Sequence, residues 1–126
     1  MPLNVLVTDD SAVMRAMIIR TLRMADVPLG EVRQAANGAQ ALEVLDAEWI
    51  DLALIDLNMP VMSGLELLGH ISTRPYAGGL RTLVVSTEGS DVRIAAVRAF
   101  GAEFIRKPFT PEDLRDVVLR LTGVEA

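Results

Sequence analysis

Five short apolar runs, each stopped by a polar or charged residue and each followed by a stretch with helical spacing, constrain the fold of this 126-residue chain. The runs cover 4–8, 32–36, 51–56, 82–86 and 103–106. Short apolar runs bounded by turn residues read as buried strands. The first is followed by 11–24, where Val13, Met14, Met17, Ile18 and Leu22 recur at helical spacing and Arg15, Arg20 and Arg23 fill the other face. Pro28 and Gly30 break the chain before the second strand, which is poor in β-branched residues. Asn37 and Gly38 then turn it into a helix over 38–47, with Ala41, Leu42 and Leu45 inward. Met62, Ser63 and Gly64 open a third helix, with Leu65, Leu68 and Ile71 on its inner face, and Arg74 to Leu80 form a loop. Val92, Ala95, Ala96 and Ala99 mark a small-residue helix over 90–100, closed by Gly101. The last helix, 111–122, has Thr110 as its cap, Pro111 at its first position and Asp113 three residues after the cap, with Leu114, Val117, Val118 and Leu121 as its apolar stripe. Five such units imply an α/β fold, a doubly wound parallel sheet covered by helices on both faces. The residues alone do not fix the strand order.

Composition removes several classes of function. Hydrophobic residues make up 51% of the chain, enough for a real core and too many for a disordered segment. No apolar run approaches the ~20 residues of a membrane span, so no membrane insertion is expected. Residues 1–8 lack the basic start and apolar stretch of an export signal, and there is no Cys, which excludes disulfides, thiolate metal sites and Cys nucleophiles. Both fit a cytoplasmic protein. A net charge of −5 without a Lys/Arg cluster argues against direct nucleic-acid binding.

What remains is chemistry at one edge of the sheet. In a parallel α/β sheet the carboxyl ends of the strands carry the site. Asp9, Asp10, Asp56, Ser86 and Lys107 all fall there, with Asn58 and Glu88 close by. Taken singly, each has an ordinary explanation as a cap, a turn residue or a solvated charge. Taken together, the four acids Asp9, Asp10, Asp56 and Glu88 against Lys107 leave the edge at a formal −3. Crowded carboxylates resist ionising together, and a hard divalent cation relieves the repulsion. Oxygen donors without His or Cys point to Mg²⁺, with Mn²⁺ as the alternative. Such a metal can neutralise a phosphoryl group, and a carboxylate can accept it as an acyl phosphate. Asp56, central and following an apolar strand, is the best nucleophile, and Asp9 and Asp10 are assigned to the metal.

These residues resemble the receiver domains of two-component response regulators, and among them most closely the stand-alone chemotaxis regulators. The likeness is carried by Thr8, Asp9, Asp10 and Ser11; by Asp56, Leu57, Asn58, Met59 and Pro60 with Ser63 and Gly64; by Val85, Ser86, Thr87 and Glu88; and by Lys107, Pro108 and Phe109. The resemblance implies strand order 2-1-3-4-5 and a single receiver domain over 1–126 with no output domain, so that output is by protein contact. It implies Asp56 as phosphoacceptor for a histidine kinase. Mg²⁺ would be held by the side chains of Asp10 and Asp56 and the backbone carbonyl of Asn58, with Asp9 acting through a metal-bound water. Lys107 would pair with the phosphoryl group or with Asp56, and its bond to Pro108 would be cis. Ser86 would move to the phosphoryl oxygen while Phe104, the switch aromatic, turns inward, changing a target-binding surface across 90–122. Asn58 and Glu88 would govern how water reaches the phosphorylated Asp, and a small Asn with an acid implies a short-lived group. Ser86 stands where Thr is more frequent, which keeps the donor but drops a methyl. Phe104 stands where the chemotaxis regulators carry Tyr, so it offers no hydroxyl to a partner.

Other functions fit less well. A receiver-like module that binds without phosphorylation would not need the full set of acids, Lys107 and Ser86. A Mg²⁺-dependent phosphohydrolase needs an acid/base beside its nucleophile, and Asn58 cannot shuttle a proton. A flavin site would want a Gly/Ser/Thr-rich loop after the first strand, where Asp9 and Asp10 repel phosphate. The single His, His70, reads as a solvated helix position, and Met14, Met17 and Met24 as packing residues. Leu57 stands where the chemotaxis regulators have Trp. The single Trp, Trp49, lies before the third strand, roughly 20 Å from Asp56 at ~3.3 Å per residue. Phosphorylation is therefore expected to quench Trp49 fluorescence weakly; a large quench that disappears in Asp56→Asn would show this placement to be wrong.

Overall fold

The computed structural model describes residues 2–87 and 89–123. The elements are β1 (Leu3–Thr8), α1 (Ala12–Met24), β2 (Leu29–Ala35), α2 (Gly38–Ala47), β3 (Leu52–Ile55), α3 (Gly64–Ser72), β4 (Arg81–Ser86), α4 (Asp91–Ala99), β5 (Glu103–Arg106) and α5 (Pro111–Thr122). The strands form one sheet in the order β2-β1-β3-β4-β5. Every neighbouring pair is parallel. This is the doubly wound architecture expected from the alternation, with the order implied by the resemblance. No helix among the described residues is long and apolar enough to cross a membrane.

The sheet is buried on both faces because its central strands carry continuous apolar runs, Val5–Val7, Leu52–Ile55 and Leu83–Val85, rather than alternate apolar positions. The alternation of side chains along each strand divides the core in two. Leu6, Ala53, Ile55 and Val84 meet Ala41 and Leu45 of α2, Leu67, Leu68 and Ile71 of α3, and Val97 of α4. Val5, Val7, Leu52, Leu54, Leu83, Val85 and Ile105 meet Ile18 and Leu22 of α1 and Leu114 and Val118 of α5. Each helix begins where a side-chain oxygen takes up an otherwise orphaned amide. Ser11, Asn37, Ser63, Ser90 and Thr110 fill this role, and the caps of α3 and α5 are reciprocated by Glu66 and Asp113.

Three details differ from the sequence expectation. β2 begins at Leu29, so Gly30 lies inside the strand and does not interrupt the chain. The register against β1 shifts between Leu3 and Val5. There the Asn4 side chain accepts the Glu31 amide at 2.9 Å, and the missing Cβ of Gly30 makes room for it. In α4 the buried residue is Val97, while Val92 is 80% exposed and Ala95 and Ala99 face outward. This helix has small apolar residues on two sides, so periodicity alone could not choose its inner face. In α3, Leu67 is fully buried beside Leu68 and Ile71, whereas Leu65 is only partly buried.

The turn from β3 into α3 is held by close backbone approaches. The Gly64 amide donates to the Leu57 carbonyl at 2.9 Å, and Gly38 donates to the Met62 carbonyl at 3.3 Å. A Cβ at Gly64 would run into the Asp56 carbonyl oxygen and stand 2.9 Å from Leu57 Cα. These are backbone atoms that cannot swing aside. Gly64→Ala is expected to destabilise the fold by about 1–3 kcal/mol, more than the ~1 kcal/mol for removing the α5 cap in Thr110→Ala. Urea midpoints of the two variants check the order, and a Gly64→Ala protein as stable as the parent would refute the close approach.

Candidate functional site

The strand ladder continues one residue past three strand ends, and those residues carry the charges. The Asp9 amide donates to the Ala35 carbonyl at 3.1 Å, Asp56 to Thr8 at 3.0 Å and Lys107 to Ser86 at 3.0 Å. Each is thus fixed by backbone bonding just beyond the sheet. Strand alternation then sets the side-chain direction. Asp9 lies two residues after Val7, Asp56 two after Leu54 and Lys107 two after Ile105, all on the α1/α5 face. Ser86 lies two after Val84 and so belongs to the opposite face, where Phe104 also packs.

Asp9, Asp10 and Asp56 each bring a carboxylate oxygen within 4.8 Å of the others. Asp9 is buried, Asp56 partly buried and Asp10 exposed. Both oxygens of Asp9 are engaged: Oδ1 accepts the Ser11 amide at 2.9 Å, and Oδ2 accepts Lys107 Nζ at 3.2 Å. The side chains of this pair are 3% and 11% exposed, so the ion pair is nearly dry. The hydrogen bond from Lys107 therefore goes to Asp9 and not to Asp56, because Asp9 is the more buried carboxylate in most need of a partner. Lys107 still acts on Asp56 through space. Burial pushes the Asp56 carboxyl above the usual carboxylate range; the Lys107 charge opposes this, the Asp9 charge adds to it, and the Leu57 and Asn58 amides oppose it.

The remaining predicted residues are placed around this edge. Ser86 is buried at the end of β4. Phe104 is partly buried and its ring rests against the backbone of Gly89, where a Cβ would stand 2.8 Å from Phe104 Cζ. Asn58 is exposed, and its Oδ1 accepts Arg93 Nη1 at 3.4 Å. Glu88 lies outside the described residues. The Lys107–Pro108 bond is cis. His70 is exposed in the last turn of α3, and Trp49 is 63% exposed before β3, at the end of the strand opposite Asp56.

Three arginines near the edge escaped the sequence reading. Arg15, taken for an outward residue of α1, is partly buried and donates to the Asp9 carbonyl at 2.7 Å and to Gln34 at 3.0 Å. Arg106 donates to the Gly89 carbonyl at 3.0 Å and stands 5.9 Å from the centre of the Phe104 ring. Arg93 had a local signal, since a cation in the first turn of a helix opposes the helix dipole. Arg15 and Arg106 carried none, because their bonds go to backbone carbonyls that no side-chain pattern records.

Residues 5–119 match the family model described as the response regulator receiver domain. The chemotaxis protein CheY1 of Helicobacter pylori is 35% identical over 116 residues, covering 90% of this chain and 92% of that protein. A protein-glutamate methylesterase/protein-glutamine glutaminase of Rhodospirillum centenum is 35% identical over 90% of this chain, which spans 29% of that relative's length. Among solved structures, Vibrio cholerae CheY4 superposes with a TM-score of 0.84 at 33% identity, covering 96% of this chain and 99% of its own. With the five-stranded order above and a family match over nearly its whole length, the chain belongs to the receiver domains of two-component response regulators, which act as signalling switches.

Proposed function

We propose that the chain is a phosphorylation-operated switch that accepts a phosphoryl group on Asp56 from a histidine kinase. The observation that carries this reading is the cluster of Asp9, Asp10 and Asp56 with a nearly dry Lys107 held beside it. One oxygen of the ionised Asp56 attacks phosphorus. The bond from phosphorus to the donor's imidazole nitrogen breaks, and the imidazole keeps the electron pair and takes up a proton. Such a transfer is chiefly positioning and charge stabilisation. Lys107 supplies one fixed positive charge. The Ser86 hydroxyl, on the opposite face of the sheet edge, is the donor that follows the new phosphoryl oxygens, and Phe104 on the same face follows Ser86.

The donor set fits a hard divalent cation, because three carboxylates within 4.8 Å face one ammonium among the described residues. Asp10 and Asp56 would hold it together with the Asn58 carbonyl. Asp9, whose two oxygens serve Ser11 and Lys107, stands behind them. When bound, Mg²⁺ or Mn²⁺ supplies charge neutralisation to the phosphoryl oxygens. Output is assigned to the surface of α4, β5 and α5, where Val92 is exposed and Phe104 lies at the margin. Chemotaxis is the pathway to test first, on the strength of the CheY1 and CheY4 likenesses.

The reading is tested by intact mass after incubation with acetyl phosphate, with and without Mg²⁺. A Mg²⁺-dependent gain of one phosphoryl group, absent in Asp56→Asn, is expected. A gain that persists in the variant would move the acceptor elsewhere. Because the adduct is expected to be short-lived, beryllofluoride with amide shifts at Ser86 and Phe104 provides the equilibrium version.

The raised Asp56 carboxyl adds a stability test. The folded chain holds this proton more tightly than the unfolded chain. The stabilising contribution is therefore complete below the ordinary carboxylate value and is lost as pH rises through the raised one. At pH 7 without divalent cations, Asp56→Asn is expected to raise Tm, and the gain should shrink toward pH 4. Mg²⁺ should raise the Tm of the parent more than that of the variant. A lower Tm for Asp56→Asn at pH 7 would contradict the charge crowding at this edge.

A further inference from the structure

We propose that Arg15 is a positioning residue for the divalent cation: it aims Asp10 without touching the Asp10 carboxylate, a role that rests on the cation reading above. The Asp10 carboxylate is exposed and takes no hydrogen bond or ion pair among the described residues. Its direction is therefore set by the backbone that carries it. That backbone is held at the preceding residue from several directions. The Asp9 amide donates to the Ala35 carbonyl at 3.1 Å, Asp9 Oδ1 accepts the Ser11 amide at 2.9 Å, and the Asp9 carbonyl accepts Arg15 Nη1 at 2.7 Å. The last of these bonds acts on the peptide unit that Asp9 shares with Asp10. A peptide unit is planar, so fixing its carbonyl fixes the direction in which the chain leaves for the Asp10 Cα.

The guanidinium is itself anchored. Its Nε donates to Gln34 Oε1 at 3.0 Å, so one planar fork joins α1 to the end of β2 and to the residue that follows β1. The other arginines of α1 show that this is not the ordinary state of the helix. Arg20 and Arg23 are exposed and make no side-chain bond among the described residues, whereas Arg15, next to the edge, is partly buried and doubly bonded. Immobilising so long a side chain costs rotamer entropy, which its bonds have to exceed. Charge does not account for the placement. A cation beside a site for a divalent cation repels it, so a role through charge alone would weaken metal binding. Position and charge therefore predict opposite signs for the loss of Arg15.

The test is the Mg²⁺ affinity of the parent, Arg15→Ala, Arg15→Lys, Gln34→Ala and Arg20→Ala, read from the amide shifts of Asp10 and Asp56 with no phosphoryl donor present. Losing an outer partner that orients a metal ligand weakens metal binding about 10- to 100-fold. Arg15 acts through the backbone, and its removal also relieves repulsion. Arg15→Ala is therefore expected to bind Mg²⁺ about three- to tenfold more weakly. Arg15→Lys keeps the charge but loses the fork, and should also bind more weakly than the parent. Gln34→Ala changes no charge and frees one end of the guanidinium, so a smaller loss in the same direction is expected. Arg20→Ala removes an equal charge from an exposed position of the same helix and should bind as the parent does or slightly more tightly. A double-mutant cycle separates positioning from general support of the fold. In an Asp10→Ala background, Arg15→Ala should weaken Mg²⁺ binding little further, because the residue it acts through is gone. Parent-like or tighter binding by Arg15→Ala overturns the proposal. An equal loss in Arg20→Ala overturns it too, as does a full further loss on top of Asp10→Ala. If the parent shows no saturable Mg²⁺ shifts, the cation reading has failed before Arg15 is tested. Melting curves confirm folding. If Arg15→Ala is unfolded, Arg15→Lys and Gln34→Ala decide the question, and parent-like affinity in both overturns the proposal.

Discussion

Three carboxylates share a space less than 5 Å across, and one nearly dry lysine stands among them. The rest of the site is arranged around that constraint. A buried ion pair such as Lys107 with Asp9 is a weak source of stability, since the desolvation of both charges offsets much of their attraction. Removing either partner is costly, however, because the other is left buried and unpaired. Asp9 therefore has a structural function even where it is not a direct ligand. It fixes Lys107 through one oxygen and the start of α1, at Ser11, through the other. Asp56 bears the consequence: neighbouring Asp9 and partial burial make its charge expensive, and Lys107 offsets this only through space. A carboxylate with a poorly compensated charge responds strongly to any change in the charge beside it.

Strand alternation distributes this chemistry between the two faces of the sheet. The carboxylates and Lys107 continue the face that packs on α1 and α5. Ser86 and Phe104 continue the face that packs on α2, α3 and α4. The Lys107 amide nevertheless donates to the Ser86 carbonyl, so the two sets meet at one backbone hydrogen bond. On the proposed reading, this is a short physical route from the state of the acceptor to α4. It passes through the ends of β4 and β5 and the packing of Phe104 on Gly89, and does not require motion of the core. Arg106, which holds the Gly89 carbonyl and stands near the Phe104 ring, ties the β4–α4 connection to β5.

Much of this was legible in the sequence because the relevant signals are local. The strand runs end where charged or hydroxyl residues begin. The caps at Ser11 and Thr110 carry their own patterns, and the spacing of Asp9, Asp56 and Lys107 reflects strand ends that periodicity finds well. What was not legible depends on partners distant in sequence. Gly30 reads as a breaker until Asn4 is placed beside it. Val92, Ala95, Ala96 and Ala99 mark α4 as a small-residue helix without choosing its inner face, and it is the sheet that selects Val97 for burial. The hydrogen bond of Lys107 to Asp9 in preference to Asp56 is a matter of relative burial, which spacing does not encode. Arg15 reads as a solvated residue until its bond to the Asp9 carbonyl is seen.

On the proposed reading, the weakly anchored helix is the one best suited to report the state of Asp56. Among its described residues α4 buries Val97 alone, whereas α3 buries Gly64, Leu67, Leu68 and Ile71. Few buried contacts mean a small free-energy cost for moving an element relative to the core. Such an element is held as much by contacts at its ends as by its own packing. For α4 those contacts include Arg93 on Asn58 at its start and Arg98 on Glu103 at its finish, the latter an exposed pair worth little in solvent. A new charge on Asp56 would act at the first of these ends, and the second would yield at small cost. An α4 with a larger apolar face would sit more firmly on the sheet and, for the same reason, carry less of the signal.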